Sequence, residues 1–370
     1  MKQFLVMPNI TMFDTAAEFA ASYEIGQDDL VLAGKSAWKR CFAGVQAGTV
    51  LFIGDYGRGE PTDEMVERIA SDVKRPYRRV IGIGGGSVLD IAKLFALEQT
   101  LPVGDLFDKV VPAKKNKELV LVPTTCGTGS EVTNISILEF PKRHTKFGLA
   151  ADALYADEAV LIPQLLEGLP FHVFAASSID ALVHATESYL SPKATPFSQT
   201  LSVQAMTMIL RGFRTIRDEG REILPSLLAD FSVGSTMAGM AFGNAGTGAV
   251  HAMSYPFGAA FHVPHGEANY TLYTGVFQKY QEKKPDGAIA DLNRIMADVI
   301  GCDPDGVYDV LEELLNTSIL QKKPMHEYGM TRDQIEAFTD SCIANQQRLL
   351  ANNYVPLDRE EMIEIYSKLF

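Results

Sequence analysis

Four of the seven histidines in this 370-residue chain are concentrated in two short segments. Asp180 and His184 are four positions apart in a run without Gly or Pro, so a helix would place both side chains on one face. His251 and His265 follow in a later segment, where turn signals flank His265. One carboxylate and three neutral imidazoles suit Fe²⁺ or Zn²⁺ better than Mg²⁺ or Ca²⁺, which prefer oxygen ligands.

The same spacing has a second interpretation. An Asp and a His four positions apart on a helix more often form a satisfied polar pair than half of a metal site. His262 and His265 could be ordinary turn residues. Spacing alone therefore leaves open both a divalent-metal centre and a set of unrelated polar side chains.

Length and composition limit the class of protein. A chain of 370 residues exceeds what one hydrophobic core usually serves, which predicts two domains. The formal net charge of -13 and the pI near 5.0 argue against nucleic acid or an anionic membrane as a partner. The sequence has no signal-peptide pattern, no apolar run of about 18 residues and no C-x-x-C pair. We therefore expect a soluble, cytoplasmic protein.

The first half of the chain alternates strand-like and helix-like segments. Short apolar runs at residues 29–33, 48–53, 79–83 and 118–122 are separated by amphipathic stretches such as residues 62–72. This alternation is typical of a parallel sheet covered by helices.

Long helical patterns replace the strand signals from about Leu169 onward. Pro163 and the Gly-Leu-Pro run at residues 168–170 mark the change. The sequence therefore predicts an α/β nucleotide-binding domain with a Rossmann-like parallel sheet at residues 1–169. An all-α domain for metal and substrate is predicted at residues 170–370.

Two Gly-rich turns follow predicted strands in the first half. Residues 81–90 end a strand and open a helix whose N-terminal amides and dipole favour a phosphate. They miss the G-x-G-x-x-G fingerprint by one residue, because Ser87 occupies the place of the last Gly. Residues 122–131 form a second turn, rich in Thr and Gly. Ligands of open α/β sheets bind at the carboxyl ends of strands, so both turns are candidate cofactor loops, or else tight turns without a ligand.

Four motifs, taken together and in order, resemble the iron-containing (group III) alcohol dehydrogenase family. They are residues 84–90, 123–131, 180–187 and 251–266. The resemblance, which extends from about Asp29 to the C-terminus, implies NAD, a bound Fe²⁺ or Zn²⁺ and hydride transfer at an alcohol or aldehyde. Within the family, the chain is most similar to the 4-hydroxybutyrate dehydrogenases, which interconvert 4-hydroxybutyrate and succinate semialdehyde.

The resemblance also assigns individual residues. The four metal ligands that it implies are Asp180, His184, His251 and His265. The cofactor-binding residues that it implies are Gly84, Gly85, Gly86, Ser87, Asp90, Thr124, Thr125, Thr128, Ser130 and Lys146. A small-molecule alcohol or aldehyde is then the substrate. Because several family members are dimers or larger, a homo-oligomer is expected by resemblance.

Two departures from the family pattern affect these assignments. Many members carry a second histidine, placed as a proton relay, where this chain has Tyr255. Either His262 or bulk water then takes over the relay, and we take Tyr255 and His262 as the catalytic candidates. Members strict for NAD often have an aspartate after the first cofactor-domain strand, where this chain has Gly34 and Lys35. NAD is expected, and NADP stays open.

Other functions share these features. A dehydrogenase of a simple primary alcohol or diol would use the same metal site with a different pocket lining. A non-redox enzyme resembling dehydroquinate synthase would also bind NAD and a metal. The motif at residues 123–131 favours the dehydrogenases. All four ligand types are present, which disfavours a binding protein with a vestigial site.

Overall fold

The computed structural model describes residues 3–57, 59–143 and 145–370. These residues divide into two compact units. One unit, the α/β unit, is Val6–Leu169, and the other, the helical unit, combines residues 3–5 with Pro170–Phe370. The predicted fold class is confirmed, since a unit built on a parallel sheet is followed by a largely helical one.

The α/β unit is built on a parallel sheet. Its strands are β1 (Asn9–Met12), β2 (Asp29–Ala33), β3 (Thr49–Phe52), β4 (Arg79–Gly84), β5 (Glu118–Pro123) and, later in the chain, β8 (Glu158–Leu161). Among the described residues these six strands lie in the order β1-β8-β5-β4-β2-β3, and every pairing is parallel. An antiparallel pair that the sequence reading did not predict consists of β6 (Ile135–Phe140) and β7 (Thr145–Ala150).

Helices cover the sheet and bury its central strands. They are α1 (Ala16–Ser22), α2 (Lys35–Cys41), α3 (Asp63–Asp72), α4 (Gly86–Phe95) and α5 (Val103–Phe107). Val80 and Ile81, successive residues of β4 that point to opposite faces, are both completely buried. The continuous apolar run of this strand is therefore explained by helices on both faces of the sheet.

The helical unit consists of helices and connecting turns. Its α-helices are α6 (Phe171–Leu190), α7 (Pro196–Glu219), α8 (Leu224–Ala245), α9 (Ala249–Phe261), α10 (His265–Lys283), α11 (Ala288–Ile300), α12 (Val307–Leu314), α13 (Gln334–Asn345), α14 (Gln347–Leu350) and α15 (Arg359–Leu369). Residues 170–370, all of which are described, contain no strand. Across the described parts of the chain, no helix combines the length and apolarity needed to cross a bilayer.

Local signals set the ends of α7. The Thr195 side chain accepts a hydrogen bond from the Ser198 backbone N–H at 3.2 Å, and Pro196 occupies the first helical position. Gly220 ends the helix with a φ of 91°, a conformation that other residues rarely adopt.

The central element of the helical unit is α6. Every residue from Ser178 to Leu190 is buried. Polar side chains on a helix that is buried all round need hydrogen-bonding partners in the surrounding elements, because an unpaired buried polar group costs free energy. The buried polar residues of α6 are therefore candidates for a functional site.

Candidate metal and cofactor sites

The four predicted metal ligands come together in the helical unit. Asp180 and His184 lie one turn apart on α6, His251 lies in the first turn of α9, and His265 opens α10. Each offers one ligand atom, and these atoms all lie within 4.8 Å of one another. Three of the side chains are buried and His265 is half-buried. The packing of three helices therefore produces the cluster.

Stacked rings restrict how the imidazoles can turn. The His184 ring lies against Phe242 with a centroid distance of 4.1 Å and against His251 at 4.7 Å. The rings of His251 and His265 are 5.3 Å apart. Because each ring is held by a neighbour, the nitrogen atoms converge without large freedom of rotation.

Two further polar residues hold the cluster from outside, and the sequence reading missed both. The Glu187 carboxylate lies 2.6 Å from Nδ1 of His251 and accepts the backbone N–H of Val250 at 2.7 Å. The Asn269 amide donates to Oδ1 of Asp180 at 2.7 Å, while its own oxygen accepts from Ser254 at 2.5 Å. Helical spacing could have identified both residues. Glu187 is three residues after His184 and Asn269 is four after His265, so each shares a helix face with a predicted ligand.

The charge state of Asp180 suits a metal ligand. Burial by itself would raise the pKa of this carboxyl group. The imidazoles of three histidines, together with the Asn269 amide, outweigh burial and hold the pKa of Asp180 below its ordinary value. Asp180 is therefore a carboxylate at neutral pH, the form in which it can bind a cation.

The donor set fits a borderline divalent ion. Two donors that bind one ion at about 2.1 Å lie at most about 4.2 Å apart. The observed span of 4.8 Å exceeds this limit by an amount that small shifts of two side chains remove. Three nitrogens and one carboxylate oxygen match the preferences of Fe²⁺ and Zn²⁺ and differ from the all-oxygen sites of Mg²⁺ and Ca²⁺.

The two predicted catalytic residues lie in different surroundings. Tyr255 is one turn after His251 on α9, and its ring centroid lies 5.8 Å from that of His265. His262 is exposed and ends α9 in the left-handed conformation, with a φ of 53°. The structure thus brings Tyr255 beside a predicted ligand and leaves the His262 side chain at the surface.

The Gly-rich turn in the α/β unit is shaped by close packing. β4 ends at Gly84 and α4 begins at Gly86. A Cβ at Gly84 would lie 2.5 Å from the Val88 side chain, and one at Gly86 would lie 2.7 Å from Thr128. Larger residues at these positions would therefore displace the backbone of the turn at the N-terminus of α4, where the helix amides are exposed to a ligand.

The second predicted cofactor loop lies directly beside this turn. The Thr124 backbone N–H donates to the Gly84 carbonyl at 3.0 Å, because β4 and β5 are neighbours in the sheet. A Cβ at Gly85 would lie 3.3 Å from the Thr125 side chain. The two loops, separated by about forty positions in the sequence, form one surface at the carboxyl ends of the strands.

Asp90 and Ser130, both predicted to meet the cofactor, form a hydrogen-bonded network with a buried lysine that the sequence reading missed. Ser130 donates to Oδ1 of Asp90 at 2.6 Å, and the backbone N–H of Ile137 donates to Oδ2 at 3.0 Å. Lys93 is completely buried and donates to Ser130 at 2.7 Å and to the Ile135 carbonyl at 2.6 Å. Burial lowers the pKa of Lys93, and Asp90 opposes that shift. These side chains hold the second loop against α4.

The remaining predicted cofactor residues lie near one loop. Ser87 donates to the Gly59 carbonyl at 3.4 Å, and the Lys146 ammonium on β7 lies 3.4 Å from the Glu60 carboxylate. Both side chains are partly exposed, so they can exchange these contacts for a ligand.

The turn after β2 contains Gly34 and Lys35, at the position where an aspartate that holds the ribose was expected from the family pattern. The Gly34 N–H donates to the Ile83 carbonyl at 2.8 Å, which places this turn beside the end of β4. Lys35 forms an exposed ion pair with Asp55 at 2.9 Å.

Comparison with known proteins decides the family. Residues 11–163 match the model for iron-containing alcohol dehydrogenase, and residues 174–370 match the model for the C-terminal part of the Fe-containing alcohol dehydrogenase family. The chain belongs to the iron-containing alcohol dehydrogenase family. The resemblance inferred from the four motifs is therefore confirmed.

Individual relatives agree with this assignment. The chain is 48% identical to a 4-hydroxybutyrate dehydrogenase of Clostridium kluyveri, an alignment that covers 100% of both chains. The solved structure of an iron-containing alcohol dehydrogenase from Thermococcus thioreducens is 26% identical, with a TM-score of 0.82 and 99% of each chain covered. A sulfoacetaldehyde reductase from Bifidobacterium kashiwanohense, solved in complex with NAD⁺, shares the fold at 21% identity, with a TM-score of 0.85 over 100% of this chain and 98% of that one.

Proposed function

We propose that this protein is a metal-dependent, NAD-linked dehydrogenase that interconverts 4-hydroxybutyrate and succinate semialdehyde. The 48% identity to the 4-hydroxybutyrate dehydrogenase of Clostridium kluyveri, over the whole of both chains, carries the proposal. The convergence of the four predicted ligands and the pairing of the two cofactor loops support the general chemistry.

The proposed metal ligands are Asp180, His184, His251 and His265, with Fe²⁺ or Zn²⁺ as the ion. A divalent ion bound there would supply Lewis-acid chemistry at the substrate oxygen, and a bound nicotinamide would supply or accept the hydride. The role of the helical unit is then to hold four donors in place in a largely buried, low-dielectric site.

The proposed cofactor site uses the two loops of the α/β unit. The glycine backbone at residues 84–86 lets a pyrophosphate approach the N-terminus of α4, whose amides point towards it. Thr125 and Thr128 lie against this turn and offer hydroxyl groups. Asp90 and Ser130 act through the network with Lys93, which keeps the second loop in register with the first.

We propose that Tyr255, in preference to His262, transfers the proton during the reaction. Its ring is next to His265, whereas His262 lies exposed at the end of α9. The Tyr255→Phe variant keeps the ring and removes the hydroxyl group, so kcat should fall about tenfold or more if this hydroxyl transfers the proton. An unchanged kcat and pH profile would leave the transfer to His262 or to bulk water.

NAD is the proposed cofactor, as in the family. Lys35 follows β2, and its exposed ammonium would favour NADP by leaving Asp55 to meet a 2′-phosphate. Comparison of NADH with NADPH at equal concentration distinguishes the two cofactors.

A homo-oligomer is also proposed. Within the described residues, β1 lies at one edge of the sheet, and Met7, Ile10 and Met12 expose large apolar side chains there. An exposed edge strand is a ready template for pairing with a second copy of the chain. A molar mass from light scattering equal to one chain, 40.5 kDa, would contradict this part of the proposal.

The experiment that tests the function follows NAD(P)H absorbance. Metal-stripped protein is compared with protein given Fe²⁺ or Zn²⁺, using succinate semialdehyde and butanal as alternative substrates. Metal-dependent NADH oxidation with succinate semialdehyde alone is the expected result. Comparable rates with butanal would move the assignment to a general alcohol dehydrogenase. No oxidation with either aldehyde would overturn the redox function.

A further inference from the structure

Glu187 is a buried carboxylate held by two donors. It lies on α6 with 4% of its surface exposed. One oxygen accepts the Val250 N–H at 2.7 Å, and the other lies 2.6 Å from Nδ1 of His251. A Cβ at Gly248 would lie 3.3 Å from Oε1, so the carboxylate is enclosed on that side as well.

The Glu187 carboxylate pairs with a histidine and not with a lysine or an arginine. Among the described residues, no Lys or Arg forms an ion pair with it, and its ion-pair partner is His251. A buried carboxylate without a cation is costly, so its presence is expected to serve a specific purpose. The contact of Glu187 with Nδ1 of His251 indicates that this purpose is to orient the His251 ring.

The geometry dictates which nitrogen of His251 carries the proton. A carboxylate oxygen can only accept a hydrogen bond, so a neutral imidazole 2.6 Å away must donate from Nδ1. Nε2 then carries no proton, and its lone pair faces the Asn269 amide nitrogen at 3.1 Å, while Oδ1 of Asp180 lies 3.7 Å from the same ring nitrogen. The tautomer that Glu187 selects is thus the one that can bind a cation at the cluster.

We propose that Glu187 is a positioning residue that fixes the tautomer and ring orientation of His251 for metal binding. This inference rests on the proposed metal centre and concerns a residue outside its four ligands. Loss of such an outer hydrogen bond typically weakens metal affinity by about 10- to 100-fold.

The decisive variant is Glu187→Gln, which keeps the shape of the side chain and changes one acceptor into a donor. If the amide oxygen accepts the Val250 N–H, the NH₂ group faces Nδ1 and forces the proton onto Nε2. If the oxygen instead faces Nδ1, the NH₂ group opposes the Val250 N–H and leaves a buried donor unsatisfied. Neither arrangement satisfies both donors with the metal-binding tautomer.

A matched control lies one residue further along the same helix. The hydroxyl group of Ser188 is buried and bonded to that of Ser202 at 2.9 Å. Ser188→Ala therefore removes a buried hydrogen bond from α6 without touching His251. Any loss of affinity that follows from general loosening of the helix should appear in this variant as well.

The affinity of metal-stripped full-length protein for Zn²⁺ is measured against a chromophoric chelator. We expect Glu187→Gln to bind Zn²⁺ at least about tenfold more weakly than the unmodified chain, and Ser188→Ala to bind it equally well. Equal affinity in Glu187→Gln and the unmodified chain would overturn the inference and leave the metal centre intact. Failure of the unmodified chain to bind Zn²⁺ would instead remove the metal centre, and the inference with it.

A second measurement uses only the unmodified protein, so it does not depend on whether a variant folds. Ring ¹⁵N–¹H correlation spectra of the metal-free protein report which nitrogen of each histidine carries the proton. We expect His251 to be protonated at Nδ1. Protonation at Nε2 would contradict the proposal whatever the behaviour of the variants.

Discussion

The two candidate binding regions are built by different means. In the helical unit, the metal cluster consists of side chains from α6, α9 and α10. In the α/β unit, the Gly-rich turn is mainly backbone from consecutive glycines between β4 and α4. A side-chain cluster depends on how helices pack, whereas a glycine turn depends on local conformation. The two regions should therefore respond differently to substitution.

A buried charged residue supports each region. Glu187 holds the ring of His251, and Lys93 holds Asp90 and Ser130. The former orients one imidazole, whereas the latter bonds to groups on α4, the second loop and β6. We therefore expect loss of Glu187 to affect metal affinity first and loss of Lys93 to affect stability first.

The largest effect is expected from His265→Ala. Removal of one of four donors should abolish metal-dependent activity, because the remaining three hold the ion less tightly and a water molecule can take the vacated position. The melt of the α/β unit, followed by fluorescence of the chain's single tryptophan, Trp38, should be unchanged. His172→Ala, on the exposed side of α6, is the matched control. Full activity of His265→Ala with stoichiometric metal would exclude His265 as a ligand.

Lys93→Met should destabilise the α/β unit by about 3–5 kcal/mol, because it leaves buried polar partners without their donor. Urea unfolding followed by Trp38 fluorescence measures this change. Lys114→Met, at an exposed position, should stay within about 0.5 kcal/mol of the unmodified chain. A similarly small change for Lys93→Met would mean that the network does not stabilise the loops.

The glycine turn allows binding to be separated from folding. Gly85→Val should raise the KM for NAD about tenfold, a loss of about 1.4 kcal/mol, because the side chain crowds the pyrophosphate position. Gly84→Ala should instead lower stability by about 1–3 kcal/mol, since its Cβ would overlap Val88. Steady-state kinetics and urea unfolding distinguish the two. An unchanged KM in Gly85→Val would favour a tight turn without a ligand.

The smallest effect is expected from Lys35→Ala. The ion pair with Asp55 is exposed, so its loss should change stability by less than about 1 kcal/mol. With NAD as the cofactor, the KM for NADH should stay within about twofold of its original value, which is less than 0.5 kcal/mol. A selective loss of NADPH-linked activity would show that Lys35 serves a 2′-phosphate.

Much of the fold could be predicted from local patterns. The apolar run at residues 29–33 is β2, and the run at 118–122 is β5 with one residue more. The long helical patterns predicted after about Leu169 correspond to the ten α-helices from α6 to α15 in the described residues 170–370. The pair β6 and β7 was missed. Burial alternates along β6 in the structure, but the residue types do not alternate, because Ser136 lies on the buried side and Ile137 on the partly exposed side.

The sequence by itself determined most of the elements and the glycine turn, because each depends on residues a few positions apart, and it supplied the types of the four candidate metal donors. Only the tertiary structure decided the partners of Glu187, Asn269 and Lys93. Glu187 is 64 positions from His251, Asn269 is 89 from Asp180, and Lys93 is 37 from Ser130. Periodicity within one helix shows which face a side chain occupies, but the group that meets that face is set by the packing of distant elements.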